Sequence, residues 1–469
     1  MDKSDVEYLE HENPLHSNET ADHRAAHKME RRLLLKADLT ILPLISLVYL
    51  ASYLDRNSIG NARVMGFQKD LHLTPKQFYN SLSIFYLGWG VAMLPSNLTA
   101  RKFRPHRSLG AATVFFGLCL CLMSVIKNYA SLMTLRAFLG FGEAFVQMSY
   151  IYGSLWYKRD ELATRASIFA ACSSISGAFG GVIAYGVQAN LNGKGGRTAW
   201  SWLFLIEGVI AIAIGMLEID LAYSRYALYN NEAERFHPSQ LLAVFKDVRT
   251  YFFFFIHGTA VLGVSVVGSF LPTFIRGFGF SPLRTQLFSI IPYAFAFVTV
   301  IASGYTSDRI NMKGPLIFIC ACVGIIGYAV LMSANSTAGQ FVACCLIASA
   351  CYPMAALCPV WIAVNSPSYT KRSTIFPIAE ACGIVFSIMG TQIYTAPPHY
   401  FGGNGTVLGL HVLAAVCTAS NSFYMRLQNK KKDQILEELE RNGQMDPHIA
   451  ERRTLHDLED KHIAFRYVI

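Results

Sequence analysis

Four ionisable residues stand inside stretches otherwise built of apolar side chains: Asp55 and Arg56 in YLASYLDRNSIGNAR, and Arg136 and Glu143 in LRAFLGFGEA. Charges in such surroundings cost roughly 2.5 to 3.5 kcal/mol each on insertion scales, so they face an internal cavity or a partner and mark a working site. Arg56 carries a guanidinium that is always charged and whose planar fork matches a carboxylate in two hydrogen bonds. Asp55, its neighbour, competes for that fork when ionised and releases it to an external anion when protonated. Arg136 and Glu143 are seven residues apart, which on a helix is one face and about 10.5 Å along the axis. A buried carboxyl whose distance from an arginine changes can take up and release a proton. Two bland readings stay open here: Arg136 locks to Glu143 or a backbone carbonyl, or Asp55 and Arg56 form an interfacial pair at the outer membrane surface.

The elements that must position these residues follow from composition. Of 469 residues, 53% are hydrophobic and only 15% charged, and the charges crowd into tails and short connections, as in an integral membrane protein. Twelve apolar stretches of spanning length are expected, at 39–54, 81–98, 109–126, 132–157, 166–187, 202–223, 251–275, 288–305, 315–332, 341–364, 374–394 and 407–424. The longest interruption follows the sixth. It divides the chain into a tail, 1–37, a first six-helix bundle, 38–223, a central loop, 224–250, a second bundle, 251–426, and a closing tail, 427–469. The first tail lacks the apolar core and cleavage site of a signal peptide, so it is expected to stay attached and cytosolic. Lys and Arg favour the connections that share its side, which places both termini inside.

Asn335 in Asn-Ser-Thr and Asn404 in Asn-Gly-Thr then fall in outer connections and are candidate glycosylation sites, whereas Asn18 and Asn97 fall inside and are expected to stay unmodified. The net charge of +9 comes from the cytosolic Lys and Arg, which anchor the inner face to acidic lipid head groups; no nucleic-acid partner is implied. All 11 cysteines lie in the apolar stretches without a metal-type Cys-x-x-Cys pair, and read as small apolar filler. His23 and His27 have the i, i+4 spacing of a metal site but stand alone in a soluble tail, so they read as a solvated helix face. No metal and no cofactor is expected. No spaced nucleophile and base appears in the stretches, which argues against a membrane enzyme.

These residues resemble the anion:cation symporters of the major facilitator superfamily, in the fungal branch similar to allantoate permease. The resemblance covers nearly the whole chain. It rests on LPLISLVYLASYLDRNSIGNAR at 42–63, LSIFYLGWGVAMLPSNL at 82–98, LRAFLGFGEA at 135–144, GAFGGVIAYG at 177–186, FLIEG at 204–208 and FLPTFIRGFGFS at 270–281, with TKR at 370–372, GTQIY at 390–394 and the closing FRYVI. It implies an all-α membrane protein of twelve helices in two pseudo-symmetric six-helix bundles. It further implies alternating access and proton-coupled movement of a small organic anion such as allantoate, nicotinate or pantothenate. Under that resemblance Asp55 and Glu143 are the proton carriers and Arg56 the anion binder. Arg136 opens RAFLGFG, similar to a superfamily motif whose arginine is implicated in proton movement and whose glycines let helices approach. Asp308 and Arg309 in GYTSDR look like the superfamily's cytosolic gate.

The chain departs from the family pattern in three places. Ser58, with Asn57 beside it, stands where an asparagine is usual; Ile384 replaces another, one turn after an unusual acid, Glu380; and the central loop is short. Asn57 and Glu380 join Arg56 as candidate substrate residues. Glu380 either selects among anions or accepts a cationic or hydroxylated part of the substrate, the alternative being a partner-satisfied helix contact. Trp202, Phe270 and Tyr352 are expected as cavity walls. The expected protein is a monomer in the cell membrane whose partners are lipid, protons and a small organic anion. Rival readings are an exporter of an acidic secondary metabolite and a nutrient sensor that binds without transport.

Overall fold

The computed structural model describes residues 14–102, 105–147, 149, 162–223, 244–366, 369–394, 400–442 and 465–469. The end of the fourth apolar stretch and most of the central loop lie outside the described residues, as do the side chains of His23 and His27. Among the described residues there are twelve long helices, as expected: α1 Pro14–Val64, α2 Pro75–Lys102, α3 Pro105–Met123, α4 Tyr129–Glu143, α5 Leu162–Asn190, α6 Ala199–Tyr223, α7 Val248–Gly277, α8 Pro282–Ile310, α9 Gly314–Ser333, α10 Thr337–Val364, α11 Tyr369–Ile393 and α12 Phe401–Arg441. Residues up to Leu44 form a unit of their own, which carries the first part of α1; residues from Ile45 onward form the second.

Eight of these helices are long and apolar enough to cross a membrane on composition alone. α1 and α4 are not among them, and they carry Asp55, Arg56, Arg136 and Glu143. The helices start where local chemistry can cap them. Asn128 accepts from Ser131 N–H (2.8 Å) to open α4, and Ser281, followed by Pro282, opens α8. Prolines inside α2, α7, α8, α10 and α11 are tolerated because neighbouring helices re-satisfy the freed backbone groups.

Packing repeats at an offset of six helices. α3 lies on α6 as α9 lies on α12, and α2 on α4 as α8 on α10; the halves meet along α2–α11 and α5–α8, which the same exchange interconverts. Small residues bring the backbones together, because lipid supplies no hydrophobic drive between helices. At Gly140 of α4 a Cβ would lie 2.0 Å from the Phe85 carbonyl oxygen, and at Gly88 of α2 a Cβ would lie 2.2 Å from that of Ala137. This contact sets Phe85 against the arginines of the site. Gly140→Ala is therefore expected to force α2 and α4 apart at a cost of at least about 1 to 3 kcal/mol, read as a lower unfolding temperature of the detergent-purified protein.

Between the halves, one end is closed by Ser83 Oγ with Thr391 Oγ1 (2.7 Å) and by Gln392 Nε2 donating to Ser83 Oγ (2.7 Å). Gly60 of α1 packs on the Ser269 carbonyl of α7, with no room for a Cβ. At the other end Asp308 Oδ2 of α8 accepts from the N–H and Oγ1 of Thr164 at the start of α5 (2.6 and 2.5 Å).

Phe465–Ile469 returns to this second end as a strap. Trp361 Nε1 donates to the Val468 carbonyl (2.9 Å), and Asn365 both donates to that carbonyl and accepts from Val468 N–H (2.9 Å each). Asn429 does the same for Tyr467 (2.9 Å each), Lys432 Nζ reaches the Phe465 carbonyl (3.0 Å), and Lys313 N–H donates to the Ile469 carbonyl (2.7 Å). The Arg249 guanidinium lies 4.3 Å from the Tyr467 ring centroid and also pairs with Asp247, which bonds Lys371 Nζ at 2.9 Å. The strap thereby joins α7, α9, α10 and α12. Asn365→Ala removes two of its bonds and leaves buried groups unpaired, which is expected to cost about 1 to 3 kcal/mol and to expose the strap to proteolysis in a timed digest.

Burial raises the Asp247 carboxyl, but the Arg249 and Lys371 partners outweigh it and bring the group down to about 2. A depressed carboxyl contributes stability that is fully present above its unfolded value, 3.8, and is lost as pH falls towards about 2. Between pH 5 and 8 this cluster is therefore constant. An Asp247→Asn variant is expected to unfold at a lower temperature than wild type by the same margin at pH 5 and at pH 8.

Candidate functional site

The four ionic residues of α1 and α4 come together in ion pairs other than those expected from sequence, while Arg136 also finds the backbone carbonyl that was its alternative partner. Arg56 Nε donates to Glu143 Oε2 at 2.6 Å, and Arg136 Nη1 lies 3.8 Å from Asp55 Oδ1. The pairs cross between the helices. Asp55 does not neutralise Arg56, because consecutive helical residues point in different directions. Arg136 and Glu143 are likewise two turns apart, and each reaches α1 instead of the other. Asp55, Arg136 and Glu143 are all buried, and Arg56 is half-buried. Ser52 Oγ adds a second hydrogen bond to Glu143 Oε2 (2.8 Å), and Arg136 Nε donates to the Ser81 carbonyl (3.5 Å).

Arg56 is held flat between rings. Its guanidinium carbon lies 4.6 Å from the Tyr53 centroid, 4.2 Å from Trp89 and 5.5 Å from Phe85. Stacking of this kind stabilises the cation without consuming its N–H donors. Nε is taken by Glu143, while Nη2 is buried with no hydrogen-bond partner among the described residues. The free edge is the part of the fork that fits a carboxylate.

Arg56 borders a cavity between the halves that is also lined by Asn57, Tyr86, Tyr352, His257 and Glu380. Asn57 Nδ2 donates to Ser176 Oγ (3.1 Å) and its Oδ1 accepts from Tyr293 OH (3.4 Å). Glu380 of α11 faces His257 of α7, Oε1 to Nε2 at 3.1 Å. The free volume is about 30 Å³, room for about two water molecules, so admitting an organic anion requires these walls to separate.

Other expected residues are placed differently. Tyr352 lines the cavity, but Phe270 is stacked away from it on Tyr394 (4.8 Å), and Trp202 is half-buried and donates to the Lys194 carbonyl (3.1 Å). Aromatic residues in membrane helices more often pack or anchor, and these two do. Asp308 links the halves through Thr164, whereas Arg309 is exposed. Asn335 is exposed before α10, but Asn404 is buried in the first turn of α12, where its Oδ1 accepts from Tyr394 OH (3.2 Å), a setting with no space for a glycan.

Two functional candidates escaped the sequence reading. His257 is buried in YFFFFIHGTAVLG, and Glu207, buried in FLIEG, accepts from Ser58 Oγ at 2.5 Å. Each is an isolated polar residue in an apolar run, the same signal that singled out Asp55.

A family model described as Major Facilitator Superfamily matches residues 45–417. An uncharacterized transporter of Schizosaccharomyces pombe is 32% identical over 89% of this chain and 92% of its own length. An MFS-type transporter of Penicillium expansum is 31% identical, covering 86% and 85% of the two chains. A high-affinity nicotinic acid transporter of Saccharomyces cerevisiae is 27% identical, covering 94% and 86%. Among solved structures, a bacterial homologue of the human lysosomal transporter Spinster, crystallised in an inward-facing and occupied conformation, superposes with a TM-score of 0.59 at 13% identity over 81% of this chain and 96% of that one. Its likeness concerns the fold, two six-helix halves around a central cavity. The relatives are transporters and not enzymes, and this chain belongs to the major facilitator superfamily.

Proposed function

We propose that this transporter couples the movement of a small organic anion to protons by alternating access. The observation that carries the reading is the crossed pairing of Arg56 with Glu143 and of Arg136 with Asp55 beside the cavity. An anion and Glu143 compete for the same guanidinium. Protonation of Glu143 releases Arg56 to a carboxylate, and departure of the carboxylate restores the internal pair and expels the proton. Asp55 and Arg136 offer a second, adjoining exchange. The nicotinic acid transporter among the relatives favours a monocarboxylate of that size.

The same reading places a monomer in the cell membrane with both termini cytosolic, bundles at 38–223 and 251–426, Asp308 as the residue that holds the cytosolic end closed, and glycan at Asn335. Proteoliposomes supplied with labelled nicotinate, pantothenate or allantoate under an imposed pH gradient test it. Accumulation that follows the gradient is expected, and movement of these carboxylates that ignores it would overturn the coupling.

A monoanion moving with one proton is electroneutral and gains about 1.36 kcal/mol per pH unit. A second proton adds a charge worth about 2.3 kcal/mol per 100 mV. Two exchangeable carboxyls favour the second stoichiometry, so uptake is expected to produce an inward current and to rise when the interior is made negative with a potassium gradient and valinomycin.

A further inference from the structure

The cavity has two poles, and its second one is acidic. Arg56 presents a donor, Nη2, that nothing among the described residues accepts; Glu380 presents an acceptor, Oε2, that nothing among them donates to. Both residues line the same cavity, Arg56 from α1 and Glu380 from α11 in the opposite half. The Glu380 side chain is 4% exposed and that of its neighbour His257 1%, so neither is solvated from outside. Tyr53 lines the same cavity. An unmatched buried polar group costs roughly 1 to 3 kcal/mol, more when it is charged. Two such groups of opposite kind facing one space are satisfied together by a single guest with complementary ends.

We propose that the transported anion carries, away from its carboxylate, an N–H or O–H donor that Glu380 accepts, and that Glu380 rejects anions bearing a second negative charge there. This rests on the anion reading of Arg56 and adds the other end of the substrate. The carboxylate takes the free edge of Arg56, the ring or chain lies between the aromatic walls, and an amide, amine or hydroxyl reaches Glu380. His257 Nε2 lies 3.1 Å from Oε1, a contact that leaves Oε2 without a donor among the described residues. A site built to bond a donor discriminates strongly against analogues that lack it, because the acceptor is then left buried and unpaired.

Thermal stabilisation of the purified full-length protein tests this with three probes that share one ring and one carboxylate: 4-aminobenzoate, benzoate and benzene-1,4-dicarboxylate. β-Alanine, propanoate and succinate form a shorter series for the same comparison. In at least one series the donor-bearing member is expected to bind ten times more tightly than the plain acid or better, with the dicarboxylate weakest. Glu380→Gln is expected to reduce the preference for the donor to less than threefold and to improve the dicarboxylate. Glu380→Asp keeps the charge while withdrawing it, so it is expected to retain rejection of the dicarboxylate while weakening the donor-bearing probe, which separates loss of recognition from loss of folding. Unchanged discrimination in Glu380→Gln, or no stabilisation of wild type by either donor-bearing probe at millimolar concentration, overturns the acidic pole. The anion site fails separately, if Arg56→Lys binds every probe as wild type does.

Discussion

Arg56→Lys is expected to weaken binding of the transported carboxylate by a factor of about 10 to 100 while leaving the protein folded. Lysine keeps the charge but loses the planar fork, and with it one charge-assisted hydrogen bond of the two, each worth about 1.5 to 3 kcal/mol. The stacked arrangement between Tyr53 and Trp89 is lost as well, since an ammonium does not lie flat on rings. Equilibrium binding or the concentration dependence of uptake in proteoliposomes measures the change. Wild-type affinity in this variant would remove Arg56 from the anion site. Arg56→Ala is the poorer probe, because it leaves Glu143 buried without its cation, a change that costs about 3 to 5 kcal/mol and confuses binding with folding.

Glu143→Gln is expected to abolish accumulation driven by a pH gradient while preserving exchange of labelled for unlabelled substrate across the membrane. Glutamine fills the same space and still accepts from Ser52 and Arg56, so the helices stay in register. It cannot bind or release a proton at this position, nor can it compete with a carboxylate for Arg56 as an anion does. Uptake against a gradient should therefore fall at least about a hundredfold, with counterflow within about threefold of wild type. Full gradient-driven accumulation in this variant would transfer the coupling to the Asp55–Arg136 pair, and loss of both activities would make Glu143 a structural contact.

The helices were legible in the sequence because membrane-spanning segments must be long and apolar, and because charges inside them are costly enough to be conspicuous. The same rule found Asp55, Arg136 and Glu143 and would have found Glu207 and His257 had it been applied to α6 and α7. Partner choice was not legible. Adjacency suggested Asp55 with Arg56, and helical spacing suggested Arg136 with Glu143, whereas the observed pairs depend on how α4 is rotated against α1 and α2. Gly140 and Gly88 set the approach of α4 to α2, where backbone meets backbone. Phe270 and Trp202 were misplaced for a related reason: a ring in an apolar run packs equally well on a cavity or on a neighbouring helix, and only tertiary contacts choose. Asn404 has the acceptor pattern of a glycosylation site, yet Tyr394 OH takes the oxygen of the very amide that would be modified.

The groove that holds Phe465–Ile469 recognises its occupant mainly through backbone groups, which Asn365, Asn429, Trp361 and Lys313 bind as a neighbouring strand would. Such recognition is portable. A short extended peptide or peptidomimetic with two successive amides and a ring for the Arg249 and Lys432 cations has what the groove asks for. The protein thus offers inhibitor chemists an address on four helix ends of one half, chemically unrelated to the anions that the central cavity selects.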